Sequence, residues 1–340
     1  MAMTTTPRLP SRASSVATSP RRWRDLAILG GLIAFVLVGF ASLASATGWD
    51  QTWAALRALS PVALVVLLAL SLVNYLARGL RWHLFARELG LPTTLVQDLR
   101  HFLGGFAMSV TPGRLGELVR MRWIGRETGW RFDRTAPLAL VDRAADLAAM
   151  AALIALSVAF SATGLTGAVP VAILAFAAAF AATRPSLLRA IAGTGHRVTG
   201  KRLPRLFARL RRAALSLDAF SRPSALVVAG VLGTLGWLAE GYAFHLLLGW
   251  MGAEVPFWRA VGIFVFATLA GGLTGAPGGL GGAEAAMVAL LALDGVPVET
   301  ALPATLVIRV TTLWFALGVG LLVFPIAERL SKRTADALEG

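Results

Sequence analysis

The segment FLGGFAMSVTPGRLGE, residues 102–117, decides how this chain folds, because it is largely apolar yet cannot form one uninterrupted helix. Its first arm is a short apolar stretch, residues 102–110, and its second arm continues towards Arg120. Pro112 and Gly113 break the helix between the arms. Each arm is shorter than the roughly 20 residues that cross a bilayer, so both ends must lie on one side of a membrane. The sequence therefore predicts a re-entrant helical hairpin.

The chain around this hairpin has the composition of a membrane protein. Of its 340 residues, 56% are hydrophobic and only 15% are charged, whereas about a quarter of the residues of a soluble domain are charged. The apolar stretches are residues 26–46, 62–80, 135–160, 169–182, 225–250, 260–273 and 300–324. The stretches that start at 169 and 260 are short for a span. This pattern predicts an all-α, polytopic membrane protein without a soluble catalytic domain.

The distribution of basic residues predicts the orientation. The net charge is +14, and the arginines and lysines gather before residue 26, in residues 78–134 and 184–222, and after residue 328. Basic loops of this kind stay in the cytoplasm. The protein is therefore predicted to lie in the cell inner (plasma) membrane, with both termini in the cytoplasm. Nucleic-acid binding is not expected, because the basic loops alternate with spans and lack aromatic stacking platforms.

The termini flank one long membrane domain. Residues 1–20 are rich in Ser, Thr, Pro and Ala and are predicted to be a disordered cytoplasmic tail. The membrane domain is predicted to cover residues 21–325, and residues 326–340 a second cytoplasmic tail. The apolar run 26–43, followed by Ala-Ser-Ala at residues 44–46, is also typical of a cleaved signal peptide. It exceeds the usual length of about 7–15 residues, which favours an uncleaved first span.

Three segments of the first half resemble three segments of the second half in the same order. They are LARGLRWHL at 76–84 with LAEGYAFHL at 238–246, TPGRLGE at 111–117 with APGGLGGAE at 276–284, and LVDRAADL at 140–147 with LVIRVTTL at 306–313. Their separation drifts only from 162 to 166 residues. The simpler alternative is that Gly- and Leu-rich membrane segments resemble one another by chance.

These matches predict two repeats, at about residues 61–160 and 224–325, each consisting of a span, a re-entrant hairpin and a span. An extra N-terminal span, a linking span and the basic cytoplasmic segment 184–222 complete the prediction. The charge bias gives the repeats opposite orientations, which is the pattern of inverted repeats with broken helices. In such proteins the binding site lies near the bilayer midplane, where the repeats meet.

Charges at membrane depth are the first group of candidate site residues. A charge at the bilayer centre costs at least about 2.5–3.5 kcal/mol, so it needs a partner or a polar cavity. Arg143 and Arg309 occupy equivalent positions in the two repeats, and Asp142 and Asp146 lie four residues apart on one helix face. One interpretation is a structural set of ion pairs that joins helices. The other, which we favour, is that the arginines bind an anionic substrate group while the acids hold them.

The hairpins supply the second group. After each break a new helix starts, and its unpaired N–H groups suit a phosphate or carboxylate, although the glycines could instead serve only close helix packing. The predicted hairpin tips are Thr111, Pro112, Gly113, Pro277, Gly278 and Gly279. The predicted substrate-binding residues are Arg114, Glu117, Arg120, Asp142, Arg143, Asp146 and Arg309. The predicted residues for ion or proton coupling are Glu240 and Glu284.

Other chemistry is not indicated. The chain has no cysteine, and its four histidines are not spaced as metal ligands, so neither a metal nor a cofactor is expected, and no catalytic residue is assigned. Arg78, Arg81 and Trp82 lie at the inner end of an apolar stretch. They are predicted to anchor that end at the membrane interface, and the alternative is that they bind a headgroup on entry.

At TPGRLGE, the Asp142–Arg143 pair and PGGLGGAE, the chain resembles the lysylphosphatidylglycerol synthase transmembrane-region family, also called flippase-like membrane proteins. The resemblance covers roughly residues 25–325. The family's bifunctional members join this membrane unit, which moves a modified phospholipid across the bilayer, to a soluble aminoacyl-transferring domain. No such domain follows Gly340, so transferase activity is not expected. Lysyl-phosphatidylglycerol is one candidate substrate that the resemblance implies. Other proteins that resemble this family are linked to polyprenyl-phosphate sugars or hopanoids.

The leading hypothesis is a lipid transporter that moves an anionic, phosphate-bearing lipid or lipid-linked intermediate, and that is not an enzyme. Its predicted partners are membrane lipids, especially anionic ones, and lipid-biosynthesis enzymes. No nucleotide-binding motif is present, so movement would be passive or coupled to an ion gradient. The alternatives are a membrane-embedded transferase acting on a lipid-linked substrate and a non-transporting partner of a lipid-synthesis complex.

Overall fold

The computed structural model describes residues 59–111, 116–161 and 222–339, together with isolated positions between residues 54 and 220. These ranges consist of helices and the turns between them, without a β-strand. The helices are α1 (Pro61–Glu88), α2 (Leu95–Gly104), α3 (Gly116–Thr128), α4 (Phe132–Phe160), α5 (Pro223–Trp250), α6 (Phe257–Leu273), α7 (Gly282–Leu293), α8 (Val298–Arg309) and α9 (Phe315–Glu339). The all-α prediction is therefore confirmed for the described part of the chain.

Four helices are long and apolar enough to cross a membrane: α1, α4, α5 and the continuous helix Val298–Ala337 that contains α8 and most of α9. Helices α1 and α5 have 28 residues each, and at ~1.5 Å per residue this exceeds a hydrocarbon core about 30 Å thick. The predicted spans at 62–80, 135–160, 225–250 and 300–324 are confirmed as helices of spanning length. The predicted spans at 26–46 and 169–182 lie outside the described ranges.

Helices α1 and α5 begin alike and run in opposite directions. Pro61 and Pro223 open them, and the next five residues read VALVV and SALVV. Proline suits the first helical turn because the N–H that it lacks would have no partner there. Arg222, immediately before α5, donates a hydrogen bond to Glu88, the last residue of α1, at 3.5 Å. The start of one helix therefore lies at the end of the other, which makes the packed pair antiparallel.

Both predicted helix breaks are present. After α2 the chain tightens into a 3-10 turn at Gly105–Met108, and α3 begins at Gly116. Before α7, the glycines with positive φ are Gly275 (71°), Gly278 (64°), Gly279 (69°) and Gly281 (79°). Positive φ is costly for a residue with a Cβ, so this turn depends on glycine. The helices beside the breaks have 10, 13, 17 and 12 residues, all fewer than the roughly 20 that typically cross the hydrocarbon core.

The two halves interlock. Helix α4 packs against α5 and α6 of the second half, and α9 packs against α2 and α3 of the first. Two apolar clusters fill the interior. The first contains residues from each of the helices from α4 through α8, among them Leu153 and Phe264. The second contains residues from each of the helices from α1 through α4, among them Trp82 and Phe102. Residues from both clusters line a polar cavity between the halves.

Helix α9 continues to Glu339, so residues 326–339, which were predicted to be a tail, extend the last helix. Glu328 accepts hydrogen bonds from three side chains of α3: Arg122 at 2.6 Å, Trp123 at 2.9 Å and Arg126 at 2.9 Å. The end of α9 thereby holds α3 in place.

Candidate functional site

The cavity has a volume of about 360 Å³ and lies where helices of both halves meet. Arginines and acids share its wall with apolar and aromatic side chains. Its charged lining residues are Arg78, Glu117, Arg120, Arg143, Asp146, Glu240 and Arg309. Leu273 also lines the cavity and is 75% exposed, so the cavity reaches the protein surface beside the second break. A cavity of this size accommodates a small polar ligand or headgroup.

A buried network of charged side chains joins α1 and α4. Arg81 is 0% exposed and donates to Asp142 Oδ1 at 2.6 Å and to Asp146 Oδ1 at 2.8 Å. Arg78 donates to Asp146 Oδ2 at 2.7 Å, and the Trp237 indole donates to Asp146 Oδ1 at 3.2 Å. The two acids are four residues apart and so share one helix face, where two arginines from α1 reach them. Asp146 lines the cavity, whereas Asp142 lies behind its wall.

The predicted anchoring role of Arg78, Arg81 and Trp82 at the membrane interface is wrong. Trp82 is 0% and Arg78 is 9% exposed, and both arginines form ion pairs inside the protein. The prediction treated the span as ending near residue 80, but α1 continues to Glu88, about two turns beyond Arg81. The buried carboxylates of α4 need cations, and α1 supplies them.

An acid meets an arginine in the same way after each break. Glu117 lies in the first turn of α3, and its Oε1 is 2.6 Å from Arg143 Nε. Glu284 lies in the first turn of α7 and accepts a hydrogen bond from Arg309 Nε at 2.5 Å. A carboxylate at a helix start also faces the positive end of the helix dipole. Arg143 and Arg309 are thus each held by an acid from the helix that follows a break.

Arg309 has an acidic partner that lies outside the segment of sequence around it. The segment 306–313 contains no acid, and this favoured a substrate anion as the partner of Arg309. That reasoning is corrected by Glu284, which comes from α7, and by the Gly278 carbonyl, which accepts a second hydrogen bond from Arg309 at 2.9 Å. Arg309 still lines the cavity, but its charge is already balanced.

Arg120 differs from the other arginines of the cavity. It is 3% exposed, and its guanidinium donates to the Phe102 carbonyl at 2.9 Å. The guanidinium carbon lies 4.3 Å from the centre of the Phe102 ring and 5.2 Å from that of Trp82. Its Nε and Nη1 groups have no hydrogen-bond partner, and no described acid forms an ion pair with it. A Cβ on Gly105 would come within 2.2 Å of Arg120 Nε, so glycine is needed to admit this side chain.

Glu240 is the opposite case, an acid without a cation. It is 5% exposed, lines the cavity, and forms no ion pair or hydrogen bond through its side chain with any described residue. The arginines that interact electrostatically with Glu240 are Arg78 and Arg309. Their charges are matched by other acids, at 2.7 Å and 2.5 Å. The cavity thus contains one unpaired cation and one unpaired acid among the described residues.

A local irregularity of the last helix borders the cavity. Residues Val310–Trp314 form a wider π-helical turn between α8 and α9. The Tyr75 hydroxyl of α1 donates a hydrogen bond to the Thr312 carbonyl in this turn. Turns of this type are frequent at functional sites, and both Tyr75 and Thr312 line the cavity.

The structure brings most of the predicted site residues together. Those that line the cavity are Glu117, Arg120, Arg143, Asp146, Glu240, Gly278, Gly279 and Arg309. Asp142, Glu284 and Thr111 are buried outside the lining, and Pro277 opens the turn at the second break. Pro112, Gly113 and Arg114 lie outside the described residues.

Sequence reasoning missed Tyr75 and Trp237 as lining residues, and it considered Arg78 only as an interface anchor or as a residue that binds a headgroup on entry. A signal for them was present, because the 162-residue offset that aligns Arg78 with Glu240 also aligns Tyr75 with Trp237. The two aromatic residues lie one turn before the two charges, on the same helix face.

A second polar cluster joins α2 to α3 outside the four long spans. Arg100 donates to Glu127 Oε1 at 2.5 Å, and His101 Nε2 lies 3.2 Å from Glu127 Oε2. Burial by itself raises the pKa of Glu127, but the interactions with His101 and Arg100 outweigh it and hold the pKa below its ordinary value. Glu127 is therefore ionised at neutral pH and joins α3 to α2.

Comparison with known proteins identifies the family. Residues 27–320 match the family described as the lysylphosphatidylglycerol synthase TM region. Two curated proteins of Methanothermobacter thermautotrophicus, each named UPF0104 membrane protein, are similar to this chain. One is 31% identical over 127 residues, which cover 36% of this chain and 38% of the relative. The other is 24% identical over 337 residues, which cover 90% of this chain and 98% of the relative. Because the family match covers most of its length, this membrane chain belongs to the lysylphosphatidylglycerol synthase transmembrane-region family.

Proposed function

We propose that this chain moves an anionic, phosphate-bearing lipid or lipid-linked intermediate across the bacterial inner membrane, with the headgroup bound in the cavity. The observation that carries the proposal is Arg120, a buried guanidinium that lines the cavity. It has no acid partner among the described residues, and two of its nitrogens are free to donate. A buried unpaired charge costs several kcal/mol, and a bound phosphate would remove that cost. The planar guanidinium also suits phosphate, which accepts parallel hydrogen bonds from it.

The remaining arginines of the cavity support an anion without being its main partners. Arg78, Arg143 and Arg309 are held by Asp146, Glu117 and Glu284 and project towards the same space. Fixed charges of this kind stabilise a ligand without the cost of reorganising on binding. The acyl chains of the lipid would remain outside, at the opening beside Leu273.

We also propose that the two halves are inverted repeats. The antiparallel packing of α1 and α5, which are equivalent in sequence, supports opposite orientations. A Cβ on Gly236 would lie 3.4 Å from the backbone of Asn74, its equivalent at an offset of 162 residues. Equivalent residues touch in this way where a two-fold axis passes between repeats. Such an axis within the membrane plane relates the halves of many transporters.

Reciprocal contacts support the same axis. Tyr75 of the first repeat donates to the Thr312 carbonyl of the second, and Trp237 of the second repeat donates to Asp146 of the first. Tyr75 aligns with Trp237, and Asp146 aligns with Thr312. Exchange of the two repeats therefore reproduces the pair of contacts.

The helices beside the breaks would then form re-entrant hairpins, with their tips near the midplane and both ends of each hairpin on one side. The positions of the basic loops put both termini in the cytoplasm under this proposal. Membrane lipids are the expected partners, and enzymes that make the transported lipid remain predicted partners.

The test is a lipid-scrambling assay with the purified protein in vesicles that carry fluorescent-headgroup phosphatidylglycerol. The wild-type protein is expected to move the labelled lipid faster than protein-free vesicles do. The variant Arg120→Met keeps the apolar stem but removes the charge, and it is expected to slow movement by about tenfold or more, the value of a charge-assisted hydrogen bond.

Arg122→Met is the matched control, because Arg122 lies on the same helix but pairs with Glu328 away from the cavity. This variant should retain the wild-type rate. Two results would contradict the proposal: no acceleration over empty vesicles with any anionic lipid of a panel, or an Arg120→Met rate equal to that of Arg122→Met.

A further inference from the structure

The unpaired acid of the cavity has no role in binding an anion, and its surroundings indicate a different task. Glu240 lies in the middle of α5, 17 residues after its start at Pro223, or about 26 Å along the helix. At this depth an ionised carboxylate needs a cation or water, and Glu240 is 5% exposed without an ion pair to any described residue.

Every charged group that faces Glu240 comes from a neighbouring helix. Arg78 and the titratable Tyr75 lie on α1, Asp146 on α4 and Arg309 on α8. Helix α6 contributes Thr268 but no charged side chain to the cavity wall. Arg78 and Arg309 already bind Asp146 and Glu284. Since those pairs are shorter than any contact that Glu240 makes to an arginine, the spare positive charge available to Glu240 is small.

We propose that Glu240 binds a proton, and that this proton binds together with the anionic headgroup. The inference rests on the proposed function, because it needs an anion in the same cavity. A negative headgroup close to Glu240 disfavours its ionised form, so the protonated acid and the bound anion stabilise each other. By linkage, the proton must strengthen anion binding by the same factor as the anion strengthens proton binding.

Glu284 provides the contrast within the protein. It is buried to the same 5% exposure, but it binds Arg309 at 2.5 Å and is absent from the cavity wall. Glu284 therefore already has a cation, and it presents no unpaired carboxylate to the cavity. Glu240 and Glu284 were equal candidates for coupling on sequence, and the structure separates them.

The first experiment needs no ligand. Infrared spectra of the full-length protein in lipid nanodiscs are compared between wild type, Glu240→Gln and Glu284→Gln at neutral pH. The carbonyl band of a protonated carboxylic acid is expected in the wild type and in Glu284→Gln, and it is expected to disappear in Glu240→Gln. In Glu240→Asp the band should persist at a shifted frequency, which tests the assignment even if the glutamine variant folds poorly. An unchanged band in Glu240→Gln would overturn the proposal.

The second experiment measures coupling with short-chain phosphatidylglycerol as the probe. Its affinity for the wild-type protein is expected to fall at least about fivefold from mildly acidic to alkaline pH, whereas Glu240→Gln binds with nearly constant affinity over the same range. A wild-type affinity independent of pH would overturn the coupling. Loss of binding in a folded Glu240→Gln would also overturn it, because the carboxylate would then contact the ligand itself. If the infrared assignment holds but no anionic lipid binds at any pH, the proposed substrate class fails and the coupling fails with it.

Discussion

At the scale of single residues, the site is built from buried charges whose partners come from distant segments. Asp142 and Asp146 were predicted to form ion pairs, and their four-residue spacing correctly placed them on one helix face. Their partners Arg78 and Arg81 were not predicted, since they lie 61 to 68 residues earlier in the chain and meet the acids only through packing of α1 on α4. Local spacing shows partners on the same helix and no others.

Arg81→Met is expected to lower the free energy of unfolding by about 3–5 kcal/mol, because it leaves Asp142 buried without a cation. The thermal midpoint of the detergent-solubilised protein, followed by circular dichroism, measures this loss. Addition of Asp142→Asn should recover part of it. Arg87→Met, on an exposed position of the same helix, should change the free energy of unfolding by less than about 0.5 kcal/mol. Equal midpoints for the Arg81 and Arg87 variants would refute the importance of the buried pair.

At the scale of elements, the two breaks were predictable because a Pro-Gly pair marks a turn, whereas the single prolines Pro137, Pro303 and Pro325 lie inside helices. The π-helical turn at Val310–Trp314 was not predicted, and the residue that hydrogen-bonds to its Thr312 carbonyl, Tyr75, comes from another helix. The close packing of α6 on α7 depends on Gly271, where a Cβ would lie 2.6 Å from the Ala283 side chain and 2.8 Å from its backbone nitrogen. Glycine in these hairpins therefore serves contact between the arms as well as the turn.

Gly271→Ala is expected to destabilise the protein by about 1–3 kcal/mol, because the backbone at Ala283 must shift to admit a methyl group. The matched control is Gly230→Ala in α5, where nothing lies within 4 Å of an added Cβ. That substitution should stabilise by up to about 1 kcal/mol through helix propensity. Thermal unfolding of both variants measures the difference, and a Gly271→Ala midpoint at or above that of Gly230→Ala would show that the arms do not pack as described.

At the scale of the whole molecule, composition correctly predicted the all-α membrane architecture of the described residues, and the resemblance at TPGRLGE, the Asp142–Arg143 pair and PGGLGGAE correctly predicted the family. The cavity could not be predicted from sequence, because its shape depends on how α4 and α9 each pack against helices of the other half. The proposed inverted arrangement has a consequence for the loops. Loops at equivalent positions of the two repeats must lie on opposite sides of the membrane.

Pro92 and Glu254 allow the opposite placement of equivalent loops to be tested. They are equivalent at an offset of 162 residues, and both are exposed. The chain contains no cysteine, so Pro92→Cys and Glu254→Cys each carry a single reactive thiol without any background. A membrane-impermeant maleimide added to intact cells is expected to label Glu254→Cys alone, and in inside-out vesicles to label Pro92→Cys alone. Labelling of both variants from the same side would rule out inverted repeats.

The charges of the two halves are unequal, and this inequality has an energetic consequence. Asp142 and Asp146 correspond to Ile308 and Thr312, and Arg78 corresponds to Glu240. Two identical inverted halves would exchange roles without cost, so the inward-facing and outward-facing forms would be equally populated. The unequal charges remove that degeneracy. Under the proposed mechanism, the empty protein therefore has a preferred resting side, fixed by which half carries the acids of α4.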